Sequence, residues 1–128
     1  MRYGHPILLV PAAVAMSLIA LPAVAHPKLV SSTPADKATV RAPKSITMQF
    51  SEKLVAPMTG AKLTMTGMPG MQHPPMEITG FTKSIAGDGK TMVLTLQRPL
   101  APGSYAVTWH AVAADTHRIQ GSFTFTVK

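Results

Sequence analysis

Four methionines and one histidine lie within the short stretch MTGMPGMQHPPM, residues 65–76. They are Met65, Met68, Met71, His73 and Met76. A thioether sulfur is a neutral, soft ligand that suits Cu(I), whereas the harder divalent ions prefer nitrogen and oxygen. The stretch therefore indicates a Cu(I) site made of methionines and His73. The alternative, strongest for Met65, is core packing, since methionine fills irregular gaps in protein interiors.

The backbone of this stretch is interrupted by glycine and proline. Two glycines and three prolines fall within it: Gly67, Pro69, Gly70, Pro74 and Pro75. Proline breaks a helix and cannot donate a hydrogen bond to a neighbouring strand. We therefore expect Met68, Met71 and Met76 to lie in an irregular surface loop, where long apolar side chains gain little from burial.

A second candidate metal site depends on how the chain is processed. Arg2 precedes an uncharged, apolar segment, residues 6–25, which ends on Ala23-Val24-Ala25. Small residues at the last and third-last positions are typical of a signal-peptide cleavage site. We predict a signal peptide at residues 1–25, cleavage after Ala25 and export. The alternative is an uncleaved membrane anchor, because the segment is long enough to span a bilayer.

Cleavage at that point makes His26 the first residue of the mature chain. A terminal histidine can chelate a metal ion with its α-amine and its ring nitrogen Nδ1, and copper is near the top of the divalent affinity order for such donors. Pro27 has no N–H, so the second peptide nitrogen cannot become a ligand. The remaining ligands must therefore come from elsewhere in the fold.

Asp115 and His117, in the segment ADTH, are the best suppliers of those ligands. They are two residues apart, so in extended backbone their side chains point the same way. The imidazole can bind a metal, and the carboxylate can bind it or orient a ring. The alternative is an ordinary surface turn, which Asp and Thr favour. Glu52, which follows the run SITMQF, is either a further ligand or a solvated surface charge.

Apolar and polar residues alternate over five short runs, which is the period of half-buried strands. The runs are SITMQF (45–50), AKLTM (61–65), TMVLTL (91–96), SYAVTWHAV (104–112) and GSFTFTVK (121–128). No segment has a convincing helical period. We therefore predict one all-β domain at residues 26–128, an antiparallel Greek-key sandwich or barrel. His110 alternates with Trp109 and is expected to face outward.

The composition excludes several classes of protein. The chain has 128 residues, enough for one domain. It has no cysteine, so it has no disulfides and cannot form a blue-copper electron-transfer site, which needs a thiolate. The net charge is +7, or +6 without Arg2, but the basic residues are spread along the chain. Because they are not interleaved with aromatic residues, nucleic-acid binding is not expected.

The chain resembles the CopC/PcoC family of periplasmic copper-resistance proteins over nearly all of residues 26–128. The matching stretches are AHPKLVSSTPAD, FSEKL, GAKLTMTGMPGMQHPPM and YAVTWHAVAADTHRIQGSFTFTV. The resemblance implies a cupredoxin-like, immunoglobulin-like Greek-key β-barrel without the blue-copper site. It also implies a copper carrier that passes the metal to other periplasmic copper proteins and to an inner-membrane transporter of the CopD type.

Carried over by position, the resemblance implies a Cu(II) site and a Cu(I) site at opposite ends of the domain. The Cu(II) ligands are His26 and His117, with Glu52 and Asp115 as weaker ligands or as partners of the ligands. The Cu(I) ligands come from Met65, Met68, Met71, His73 and Met76. The alternative is an enzyme similar to the copper-dependent polysaccharide monooxygenases, which also use a terminal and a second histidine. The few aromatic residues argue against it, so we expect no enzymatic activity.

Overall fold

The structure, a computed structural model, describes residues 26–128 and, before them, residues 2–4, 6, 10–12 and 17–18. Within these described residues no helix is long and apolar enough to cross a membrane. Most of the predicted signal peptide, including Ala25 itself, lies outside the described residues. The cleavage site therefore stays a prediction.

The described residues form nine strands and one short 3-10 helix, Ala56–Met58. The strands are β1 Leu29–Thr33, β2 Ala38–Val40, β3 Ser45–Phe50, β4 Gly60–Met68, β5 Met71–Ile78, β6 Phe81–Ile85, β7 Thr91–Leu96, β8 Gly103–Val112 and β9 Arg118–Val127. A four-stranded sheet has the order β1-β3-β7-β6, and a five-stranded sheet has the order β2-β9-β8-β4-β5. Neighbouring strands are antiparallel except β2, which runs parallel to β9.

The predicted all-β class is confirmed, and the architecture is a sandwich rather than a closed barrel. Within the described residues no strand of one sheet pairs with a strand of the other. The five alternating runs correspond to β3, β4, β7, β8 and β9, which are the interior strands of the two sheets. The other four strands were not predicted from the alternation, and they form the edges of the two sheets: β1, β2, β5 and β6.

The core lies between the two sheets and is built from the inward side chains of the interior strands. Phe50 of β3 meets Trp109 of β8 edge to face, with ring centroids 5.1 Å apart, so the two sheets are joined by an aromatic contact. Trp109 is opposite Gly121 of β9. A Cβ on Gly121 would lie 2.6 Å from the indole ring, so only glycine leaves room for it.

The strands separate two ends of the sandwich that carry the candidate ligands. The ten residues of β8, at about 3.3 Å each, span roughly 30 Å. The histidine end consists of residues 26–28, 51–59 and 113–117. The methionine end consists of residues 65–76, in the β4–β5 hairpin, and residues 97–102. Ligands on the two ends therefore cannot share one metal ion.

Candidate metal centres

The histidine end brings together three ligating side chains from distant parts of the sequence: His26, Asp115 and His117. Nδ1 of His26 lies 2.8 Å from Oδ2 of Asp115, and Nδ1 of His117 lies 3.5 Å from the same oxygen. The two ring centroids are 5.1 Å apart. One ligand atom from each residue lies within 4.8 Å of the other two. Since metal–ligand bonds are near 2 Å, small rotations would bring all three onto one ion.

The position of His26 is set by the two residues that follow it. Pro27 is fully buried. The N–H of Lys28 donates to Oγ of Ser51 at 2.9 Å, and the N–H of Ser51 donates to the carbonyl of Lys28 at 2.9 Å. This reciprocal pair fixes the segment to the end of β3. Glu52 follows Ser51 at this end and is half-buried, but the three-residue cluster does not include it.

Asp115 and His117 point the same way for a different reason from the one predicted. The prediction assumed extended backbone, whereas these residues lie in a turn in which Thr116 has a φ of 65°. The N–H of Thr116 donates to the carbonyl of Ala113 at 2.9 Å, and the N–H of His117 donates to Oδ1 of Asp115 at 3.1 Å. The carboxylate thus folds back on its own loop, as Asp does in Asx turns, and its other oxygen is left for the histidine rings.

The charge on Asp115 suits it to hold a cation. Its side chain is 12% exposed, and this burial by itself raises its pKa. The N–H of His117 and the ring of His26 outweigh that effect, so the pKa of Asp115 lies below its ordinary value. The carboxylate is therefore ionised at neutral pH and places a negative oxygen between two imidazoles. An N,N,O donor set of this kind suits borderline divalent ions, Cu(II) among them.

A buried threonine holds the strand that leads into this loop. Oγ1 of Thr59 accepts a hydrogen bond from the N–H of Val112 at 3.2 Å, and the carbonyl of Val112 accepts one from Val55 at 2.8 Å. The ammonium of Lys83 donates to the carbonyls of Ala56 and Thr59 and ties β6 to the same segment. Sequence analysis did not indicate this support, because a single threonine in a loop belongs to no motif or period.

At the methionine end the predicted irregular loop is wrong. The stretch is a hairpin in which β4 and β5 are joined at Pro69-Gly70, where Gly70 has a φ of 70° that glycine adopts without strain. The strands pair Met65 with Met76 and Met68 with Met71. Because β5 is the edge of its sheet, one side of it needs no hydrogen-bond donors. Proline is tolerated at such a position.

A bulge in β5 accommodates the two adjacent prolines. Between the pair Met65–Met76 and the next pair towards the turn, β4 contributes one residue, Thr66. Over the same interval β5 contributes three residues, His73, Pro74 and Pro75. Extra residues on one strand are the mark of a bulge, which breaks the regular ladder. The missing N–H groups of the prolines therefore fall where the ladder is already interrupted.

The ring of His73 has a defined tautomer. Its Nδ1 lies 2.7 Å from the carbonyl oxygen of Pro74. A carbonyl can only accept, so Nδ1 carries a proton, and in the neutral form of the ring the lone pair is on Nε2. Nε2 is buried and has no hydrogen-bond partner among the described residues. A neutral imidazole whose far nitrogen is held by a carbonyl is the usual state of a metal-binding histidine.

Three of the methionines line a common cavity of about 580 Å³, together with Leu100 and Tyr105. They are Met65, Met68 and Met76. Met65 is only 5% exposed and belongs to the core, so its packing role is confirmed, yet it also faces this cavity. Met76 is 53% exposed and Met71 is 62% exposed. The hairpin thus presents sulfur both to the cavity and to solvent.

Comparisons with known proteins agree with the fold and with the sequence pattern. The CopC domain family matches residues 29–128. The chain is 53% identical to copper resistance protein C of Pseudomonas syringae pv. tomato over 111 residues, 87% of each chain. It is 49% identical to copper resistance protein C of Xanthomonas campestris pv. juglandis over 115 residues, 90% of each chain.

A solved structure shows the same fold at similar identity. The crystal structure of PcoC, a methionine-rich copper resistance protein from Escherichia coli, superposes with a TM-score of 0.75 at 47% identity. The match covers 81% of this chain and all of that one. Both the sequence relatives and this structure are matched over most of their length. The chain therefore belongs to the CopC family.

Proposed function

We propose that this protein is a periplasmic copper carrier with one site for each oxidation state of the metal. The name shared by its relatives supports a role in copper resistance. Cu(II) binds at the histidine end through His26 and His117, with Asp115 as a weaker ligand or as the partner that orients the rings. Glu52 is the more distant candidate there, because it is not in the cluster.

One observation carries the proposal for Cu(II). His26 and the pair Asp115 and His117 come from opposite ends of the mature chain, yet their ligand atoms lie within 4.8 Å of one another. His26 is held in place by the two residues that follow it: Pro27 is buried, and the N–H of Lys28 donates to Ser51. Cleavage after Ala25 would add a free α-amine to this set and complete a two-nitrogen chelate on His26.

The proposal for Cu(I) rests on the methionine hairpin. The ligands are Met65, Met68, Met71, His73 and Met76, of which two pairs are directly opposite across the strands. Directly opposed residues have Cβ atoms about 5 Å apart, so their long side chains can reach one ion. The lone pair of His73 on Nε2 supplies a neutral nitrogen to the same set. There are more donors than a low-coordinate Cu(I) ion needs, so different subsets can hold it.

Delivery is the remaining part of the proposed role. The exported protein receives copper in the periplasm and passes it to other periplasmic copper proteins and to an inner-membrane transporter of the CopD type. The exposure of His117 and of three methionines, Met68, Met71 and Met76, supports transfer, because a partner's ligands can approach both centres directly.

The experiment that tests the Cu(II) site uses the exported protein and a variant with one alanine placed between the cleavage site and His26. Mass spectrometry first establishes the terminal residue of each. We expect the extension to weaken Cu(II) binding about 100-fold or more, because the chelating amine becomes an amide. Loss of a ligand should cost more than the roughly 10–100-fold that is usual when only a ligand's hydrogen-bond partner is removed. Cu(I) binding, measured by competition with a chromophoric chelator, should be unchanged. Equal Cu(II) affinity together with an unchanged electron paramagnetic resonance spectrum of the bound ion would rule out the chelate, because the new terminus could otherwise bind through its own amine and the peptide nitrogen of His26.

The competing function is that of a copper monooxygenase. It is favoured by the proximity of His26 and His117, whose ring centroids lie 5.1 Å apart. It predicts oxygen-dependent cleavage of chitin or cellulose by the copper-loaded protein above the rate given by free copper. The aromatic residues argue against it, since Phe50, Phe123, Phe125, Tyr105 and Trp109 are all buried in the core. They cannot form the flat aromatic face on which a polysaccharide would lie. We therefore expect no such turnover.

A further inference from the structure

A basic groove lies on the outer face of the five-stranded sheet, beside the histidine end. Its volume is about 320 Å³, and its outward side chains are Lys62, Thr108, His110, Arg118 and Gln120. We call it the His110 groove. His110 faces away from the core, as its alternation with Trp109 predicts, although it is half-buried rather than fully exposed. No part of the copper proposal uses these side chains.

The strand register centres the groove on His110. The residue is opposite Gly60 on β4 and opposite Gln120 on β9. Lys62 and Arg118 are each two positions from those partners, so they stand on the diagonals, about 7–8 Å from His110 between Cα atoms. The ring leans over Gly60, where a Cβ would lie 3.1 Å from Cε1 of His110. The absence of a side chain at Gly60 therefore makes the space in which the ring lies.

The positive charges of this groove are not neutralised within the described residues. Lys62 and Arg118 form no ion pair there, and none of the acidic residues lines the groove. Lys83 adds a third positive charge nearby, although its ammonium is engaged by two carbonyl groups. Burial lowers the pKa of His110, and the charges of Arg118 and Lys83 lower it further. The ring is therefore neutral at pH 7 and can donate one N–H.

We propose that the His110 groove docks an acidic segment of a partner protein. Its carboxylates bind between the ammonium of Lys62 and the guanidinium of Arg118, and His110 and Gln120 donate the additional hydrogen bonds. Charge complementarity carries this assignment, since two unpaired cations and two neutral donors face a concave surface without an acid. Because Arg118 follows His117 in the chain, a partner docked here lies beside the histidine end. The inference does not depend on copper binding.

A protein segment fits this surface better than a lipid bilayer does. Binding to an anionic membrane usually needs a larger cluster of basic residues or apolar side chains that insert into the bilayer. In residues 26–128 the exposed large apolar side chains are Val30, Met58, Met68, Met71 and Met76. None of them lines the groove. The remaining outward side chain, Thr108, is polar, and the planar guanidinium of Arg118 matches the geometry of a carboxylate.

The test is a titration of the exported, metal-free protein with an acetylated and amidated hexaglutamate peptide, followed by NMR of the histidine rings. We expect the His110 signals to shift on binding, with His110→Gln used to assign them. The double variant Lys62→Gln/Arg118→Gln should weaken binding about tenfold, as loss of charges on a docking surface does. The matched control Arg41→Gln/Lys44→Gln removes the same charge from the loop between β2 and β3, away from the groove, and should change binding less than twofold.

A second variant separates the shape of the groove from its charge. Gly60→Ala keeps every charge but forces the His110 ring to move, so it should also weaken peptide binding severalfold and alter the ring signals in the free protein. The proposal is overturned if the peptide leaves His110 unshifted or if both double variants weaken binding equally. It is also overturned if inorganic phosphate displaces the peptide at equal concentration, or if phosphatidylglycerol vesicles bind through the same residues in its place.

Discussion

The histidine end and the methionine end are assembled in opposite ways. At the histidine end, His26 meets Asp115 and His117 only because three loops fold against one another and are held by hydrogen bonds such as Lys28 to Ser51. At the methionine end, all five candidate ligands lie within residues 65–76, and the register of one hairpin pairs the four methionines. The first centre is a product of tertiary structure, and the second is almost local.

The chemistry of the ligands follows the same division. Imidazole and amine nitrogens must lose protons before they bind, and they serve a divalent ion well only when held in place. Thioethers carry no proton and have three flexible bonds, so they tolerate variable geometry. Changes in processing, pH or distant packing should therefore affect the histidine end, whereas the methionine end should respond mainly to the loss of sulfur.

Among the substitutions, the largest effect is expected from removing sulfur. The triple variant Met68→Leu/Met71→Leu/Met76→Leu keeps the side-chain volume but leaves one thioether, so Cu(I) binding should fall about 100-fold, equal to about 2.8 kcal/mol. Cu(II) binding should be unchanged. Competition with a chromophoric Cu(I) chelator measures the first, and electron paramagnetic resonance follows the second. Met58→Leu, an exposed methionine at the other end, is the control and should change neither.

Acidity should separate the two ends almost as clearly. An α-amine with a pKa near 8 gives up a proton when it binds Cu(II), so affinity should fall at least about tenfold per pH unit between pH 7 and pH 5, and protonation of the imidazole ligands can only make the fall steeper. The lowered pKa of Asp115 keeps that carboxylate ionised over this range, so it does not add to the loss. Cu(I) binding should depend on pH much less. Equal slopes for both ions would contradict the assignment of nitrogen to one end and sulfur to the other.

A smaller effect is expected from Asp115→Asn, which keeps the shape of the side chain and removes its charge. Cu(II) binding should weaken about 10–100-fold, as it does when a ligand's carboxylate partner is lost. The spectrum of the bound ion should also change, because a negatively charged oxygen close to both imidazoles is lost. Asp88→Asn, an acid that caps a turn without contacting this cluster, should leave the Cu(II) affinity unaltered.

The smallest effect on binding is expected from Thr59→Val. It leaves the buried N–H of Val112 without its acceptor, so the free energy of unfolding should fall by about 1–3 kcal/mol. Cu(II) affinity should drop less than tenfold, because the loop loosens but keeps its ligands, and Cu(I) affinity should not change. Thr59→Ser retains the hydroxyl and should restore both properties. If Thr59→Val weakens Cu(I) binding as much as Cu(II), the two ends are not independent.

The division between predicted and unpredicted strands has a simple physical cause. The interior strands β3, β4, β7, β8 and β9 pack one face on the core, so their sequences alternate and were predicted. The edge strands are short or polar and contribute few buried residues, as in β1 with LVSST. Such strands form because a neighbour offers hydrogen-bonding groups, and that neighbour is not visible in the local sequence.

The error at the methionine stretch has the same origin. Pro74 and Pro75 exclude an interior strand, and the prediction treated this as excluding any strand. An edge strand with a bulge tolerates both. At the histidine end, Asp115 and His117 were expected to converge, and they do, but through a turn at Thr116 rather than through extended backbone. The family resemblance implied Glu52 and Asp115 alike as weaker ligands, and the cluster of ligand atoms includes Asp115 but not Glu52.

The sequence by itself determined which kinds of ligand are present, that thiolate chemistry is absent, and that the domain is built of strands, because these depend on residue type and short-range periodicity. Tertiary structure alone decided that His26 meets Asp115 and that Lys62 and Arg118 flank His110. Contacts between distant residues depend on how whole strands pack and pair. No local pattern in the chain records that packing.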